Sequence, residues 1–130
     1  MNKQNVMQQE NAKIKASRII DLSIKYWSIE REKLLSRNKY GILPIYKAMM
    51  TFLILEQTEI SLKNLAILIG IKDHTSIIHR RESMSNLIKE KHPLIHQYYY
   101  YKKAIMMKTI PSYDWEDYFQ IINDINYASN

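Results

Sequence analysis

The part of the chain that most constrains its fold is Ser61-Leu62-Lys63-Asn64-Leu65-Ala66-Ile67-Leu68-Ile69-Gly70. It is followed at once by Ile71-Lys72-Asp73-His74-Thr75-Ser76-Ile77-Ile78-His79. Leu62, Leu65 and Leu68/Ile69 recur at helical period, which gives a short helix one apolar face. Ser61 suits its N-cap, where a hydroxyl can accept from an amide of the first turn. Ala66 is small enough for a second helix to cross closely. Gly70 stands where the chain must reverse, and a residue without Cβ takes positive φ cheaply. Asp73 then caps a helix from about 74 to about 90. Ile77, Ile78, Met84, Leu87 and Ile88 face its core; His74, Thr75, Ser76, His79, Arg80 and Ser83 are left for the outside. A plain pair of packed helices would satisfy this spacing. So would a helix-turn-helix, which sets the opening residues of its second helix against base edges.

The remaining pattern is also helical. The spacing predicts helices over about 11–28, 30–36 and 44–57, the last rich in Met49, Met50, Phe52, Leu53 and Leu55 and so the expected centre of the core. Residues 1–10 read as a ragged lead-in. Residues 37–42 read as a loop, with Pro44 suited to the first turn that follows. Pro93 and Pro111 set off two further helices, about 94–108 and 113–126, because the proline ring removes a donor and clashes with the preceding turn. The expectation is an all-α chain: a compact helix-turn-helix domain over 1–108 and an acidic, aromatic helical extension over 109–130.

Within this pattern, Asp73-His74-Thr75-Ser76, preceded by Gly70 and Lys72, resembles the signature of the C-terminal DNA-binding domain of the bacterial replication initiator DnaA. The resemblance runs over about 19–88. Lys33-Leu34-Leu35-Ser36-Arg37 is similar to the family's short helix before its basic loop, and Lys47-Ala48-Met49-Met50-Thr51-Phe52-Leu53 to its central helix. Glu56, Thr58, Ser61 and Leu62 match the entry to its helix-turn-helix. The resemblance implies a Trp-repressor-like fold that binds duplex DNA. Asp73, His74, Thr75 and Ser76 would then lie at the bases, and Arg37, Lys39, Lys47, Lys63, Lys72 and Arg80 along the backbone. Three positions depart from the family. The minor-groove arginine falls on Lys39, which lacks the planar guanidinium fork. Ser76 replaces a threonine, and the glycine pair is reduced to Gly70-Ile71.

Charge points to the same class of partner. Net charge is +6, and its distribution is uneven: residues 1–108 carry +10, while 109–130 hold Asp114, Glu116, Asp117 and Asp124 with no Lys or Arg, giving −4. A basic body favours a polyanion. With Gly41 and Gly70 as the sole glycines there is no phosphate-binding loop, and 130 residues leave no room for the ATPase module of full-length initiators. The absence of cysteine fits a reducing compartment, the polar opening Met1–Glu10 does not read as a signal peptide, and no apolar run spans a membrane. The expected location is the cytoplasm, at the nucleoid or, for a phage or mobile element, in the host.

No enzyme is expected. His74 and His79 lack an accompanying nucleophile or carboxylate pair. His92 and His96 have metal-ligand spacing, but no third ligand lies near in sequence and Pro93 lies between them, so neither metal nor cofactor is expected. The sequence therefore supports a sequence-specific duplex-DNA-binding protein serving replication or transcription. The alternative is a protein–protein adaptor that retains the fold, docking or self-associating through Tyr98–Tyr101 and Tyr113–Phe119, since tyrosine is enriched at interfaces.

Overall fold

The computed structural model describes residues 3–36 and 41–109, and its regular elements are all α-helices. In order they are α1 (Lys3–Trp27), α2 (Arg31–Leu34), α3 (Leu43–Gln57), α4 (Leu62–Leu68), α5 (Thr75–Lys89) and α6 (Ile95–Thr109). No strand occurs among the described residues, and none of these helices is long and apolar enough to cross a membrane. The helix expected over 113–126, with Tyr113–Phe119, lies outside the described residues, as do Arg37 and Lys39 of the basic loop.

Two compact units divide the chain inside α5, at Ser83/Met84. In the first, α3 is the centre. Met49, Met50, Leu53 and Ile54 are all at most 1% exposed, and Pro44 occupies its first turn. α1 packs on α3 and α4, and its buried stripe of Ala12, Ala16, Ile19, Ile20 and Ser23 keeps helical period. The Ser23 hydroxyl donates to the Ile19 carbonyl at 2.6 Å, which satisfies it inside the core. α2 seats Leu34 against α3, and the Trp27 ring stacks on Tyr46 at 4.4 Å between centroids, joining the end of α1 to the start of α3. Arg31 pairs with Asp21 at the surface.

α1 begins at Lys3, about eight residues before the expected start. Its first turns lack apolar periodicity, so sequence reading leaves them ragged. Tertiary bonds hold them instead, chiefly those of the Gln9 side chain to residues 59–64.

The described part of the second unit comprises the end of α5 and α6. Met84, Ile95, Tyr98, Tyr101, Ile105 and Met106 are buried, and those on α6 follow helical spacing. Of the four consecutive tyrosines, Tyr98 and Tyr101 are therefore core, with ring centroids 6.4 Å apart, and Tyr100 is the exposed one. The expected tyrosine docking surface is correspondingly narrower, because side chains three apart share a helix face and only one such pair can turn inward.

Three helices end the same way. Ser28, Gly70 and Lys91 sit at φ +52°, +75° and +53°. After each, the next amide reaches back five residues: Ile29 to Ile24 at 3.2 Å, Ile71 to Ala66 at 2.8 Å, and His92 to Leu87 at 2.9 Å. This arrangement satisfies orphan carbonyls and reverses the chain. Only at Gly70 does the residue type match the conformation. A Cβ there would meet nothing within 4 Å, so Gly70→Ala should lose about 1–2 kcal/mol through backbone strain alone. Ser28→Gly should gain less than about 1 kcal/mol, since relief of strain is offset by greater freedom of the unfolded chain. Urea unfolding midpoints at constant slope measure both.

Candidate nucleic-acid interface

The segment joining α4 to α5 is built from local hydrogen bonds. The Ser61 hydroxyl accepts from the Asn64 amide at 3.1 Å and caps α4. Leu65, Ala66 and Ile69 are buried, while Lys63 and Ile67 on the opposite face are exposed. After the turn at Gly70, the Asp73 carboxylate accepts from the Thr75 amide at 2.9 Å and from the Thr75 hydroxyl at 2.7 Å. These two bonds, backbone first, hold the Asp73 carboxyl below its ordinary range, and the His74 and His79 side chains add a smaller pull in the same direction.

Asp73, His74, Thr75 and Ser76 are all exposed, as are His79 and Ser83 one and two turns further along. Ile77, fully buried, sets the inward direction of this part of α5. Thr75, His79 and Ser83, spaced by four, share the outward face. The Thr75 hydroxyl already donates its hydrogen bond to Asp73, so toward any ligand it offers an acceptor and a methyl group. Lys72, just before the cap, and Lys63 on α4 are also exposed.

Of the expected backbone-contacting cations, Lys47 is turned inward and Arg80 is partly covered. Lys47 is 4% exposed, and its ammonium donates to the Ser36 carbonyl. Burial, and secondarily the charge of Arg80, push it below the ordinary lysine range. Arg80 is half-buried, and its guanidinium donates to the Thr51 hydroxyl at 3.2 Å; burial lowers it too. Lys47 is thereby corrected from a surface contact to a buried structural cation. Arg80, expected along the DNA backbone, is half-buried and braced on α3. The physical reason is the same for both: α3 is covered on the side where Lys47 and Thr51 emerge, and buried polar atoms must find partners. Sequence reading missed Thr51 and Gln9. A lone hydroxyl amid Met49, Met50, Phe52 and Leu53 was the available signal for Thr51; Gln9 gave none.

His92 uses its Nδ1 to accept from the Leu94 amide at 3.1 Å, which gives it a local role at the start of α6. Among the described residues no group of three or more His, Asp or Glu side chains is placed to hold a metal ion. No family model, no curated protein and no solved structure matches this chain.

The cap carries a pH signature. With its pKa lowered, the Asp73 carboxylate supports the first turn of α5 fully above the unfolded carboxyl value of about 3.9. That support is lost as pH falls through the lower folded value. The Thr75 amide resonance should therefore hold its position between about pH 5 and pH 4 and move only in stronger acid. In Asp73→Asn, where an amide oxygen keeps the acceptor but position 73 no longer titrates, the same resonance should stay flat below about pH 5. A Thr75 shift that titrates in the ordinary carboxylate range would contradict the cap.

Proposed function

We propose that α4 and α5 act as a helix-turn-helix that binds duplex DNA in a sequence-specific manner, as a replication-associated or transcriptional regulatory factor similar to the DnaA C-terminal domain. The observation that carries this reading is the first turn of α5. Its four polar residues, Asp73, His74, Thr75 and Ser76, are consecutive, exposed and pre-ordered by the Asp73 cap, with Lys63 and Lys72 exposed on the same stretch of chain. A capped, exposed helix start is what major-groove readout requires. The roles follow from chemistry. His74 and Thr75 reach base edges, Asp73 orders the turn, Ser76 lies beside them, and Lys63 and Lys72 neutralise phosphates. Arg80, braced by Thr51, has its guanidinium fixed in advance and contacts the backbone at lower entropic cost than a free arginine.

A second reading, a protein-docking module, draws on one observation: Tyr100 and Met107, seven residues apart on α6, are 52% and 50% exposed. Such a pair suits a partner's apolar surface, and under this reading random and selected duplexes bind equally weakly.

Selection of bound sequences from a random duplex pool, followed by titration at two salt concentrations, separates the two. On the selected site Thr75→Ala should cost roughly 1–3 kcal/mol, with little effect on random DNA. Lys72→Gln should weaken both sites alike and reduce the log-log salt slope by about 0.9. Equal losses on both duplexes for Thr75→Ala would remove the specific-readout reading.

A further inference from the structure

The side chain of Gln9, on α1, makes three hydrogen bonds to the segment that opens α4. Its Nε2 donates to the Glu59 carbonyl at 2.9 Å. Its Oε1 accepts from the Ser61 amide at 2.9 Å and from the Asn64 side-chain amide at 2.8 Å. Every polar atom of one amide group is thus committed to partners 50 to 55 residues away. Two of those partners form the cap of α4: Ser61 is its N-cap, and Asn64 is the residue whose backbone amide donates to the Ser61 hydroxyl. Just upstream, the Thr58 hydroxyl donates to the Ile54 carbonyl at 2.8 Å and accepts from the Ile60 amide at 3.3 Å, so the end of α3 and the start of α4 form one bonded unit.

We propose that Gln9 is a positioning residue. From the first turns of α1 it clamps the start of α4, and through this seven-residue helix and the turn at Gly70 it sets the presentation of the α5 opening. A seven-residue helix has little stability of its own, because nucleation is costly and few bonds repay it. Its placement must come from tertiary contacts. The apolar side of α4 supplies some through Leu65, Ala66 and Ile69. Such contacts fix the helix against the core but tolerate small rotation and sliding, whereas three directional bonds from one planar amide fix its axial position. The consequence for DNA affinity rests on the helix-turn-helix reading; the clamp itself does not.

Two variants test it. Gln9→Met keeps the length of the side chain and removes all three bonds. The Ser61 amide should then exchange with solvent roughly tenfold faster, the scale of one lost hydrogen bond, and the amide resonances of residues 73–76 should move although the three bonds go to Glu59, Ser61 and Asn64. Gln9→Glu keeps both acceptor bonds but sets a carboxylate against the Glu59 carbonyl until it is protonated. Ser61 protection should survive, and the Ile60 resonance, in the same peptide unit as that carbonyl, should move more with pH in the carboxylate range than it does in the wild-type protein, where Glu59 itself is already present. On a selected duplex Gln9→Met should bind several-fold more weakly with an unchanged salt slope, as expected for a residue that positions rather than contacts phosphate. Wild-type exchange at Ser61 in Gln9→Met overturns the proposal, as does faster exchange there with residues 73–76 unmoved. Should Gln9→Met unfold, an Ile60 resonance whose pH dependence in Gln9→Glu matches that of the wild type overturns it as well. If the wild-type protein binds no duplex, only the DNA consequence falls, because the resonances of the free protein decide the clamp.

Discussion

Burial of α3 is the constraint on which the rest of the first unit depends. Its Met49, Met50, Leu53 and Ile54 are removed from water, and the hydrophobic term scales with the apolar area so removed. The same burial carries Lys47 and Thr51 inside. A buried ammonium without an acceptor is far more costly than any single apolar contact is favourable. The Ser36 carbonyl at the end of the α2 segment and the Arg80 guanidinium from α5 therefore become structural partners. One apolar helix thus specifies the polar contacts of its neighbours and reaches into the face of α5 proposed to meet DNA.

That coupling changes how the basic residues divide. Lys63 and Lys72 remain exposed, Arg80 is held along α3, and Lys47 is withdrawn. Charge counted along the sequence treats these four as equivalent. The surface field that a polyanion would meet is shaped by the exposed ones, with Arg80 contributing from a fixed position. The opening of α5 is ordered by a different and purely local device, the bonding of Asp73 to Thr75, which needs no neighbour.

The devices at the helix ends differ in the same way. Gly70 suits its left-handed conformation by residue type, while Ser28 and Lys91 adopt it because the chain must turn there. Strain at two exposed turns is tolerated when the helices on either side are fixed by other contacts. Near Ser28, the Trp27–Tyr46 stack and the Asp21–Arg31 pair tie α1 to α3 and to α2.

The sequence by itself determined the features that arise within about one helical turn. Apolar spacing and the prolines made the chain all-α. Ser61, Gly70 and Asp73 marked where α4 and α5 start and turn, and the exposed residues 73–76 follow from that placement. Tertiary structure decided the rest. It extended α1 back to Lys3, turned Lys47 inward, braced Arg80 on Thr51, buried Tyr98 and Tyr101 while leaving Tyr100 outside, and tied Gln9 to the cap of α4. The physical reason is range. Periodicity and capping are local, so a sequence window contains both partners. The bonds of Lys47, Arg80 and Gln9 join residues 11, 29 and up to 55 positions apart, and a polar side chain's partner at that separation exists only once the helices have packed.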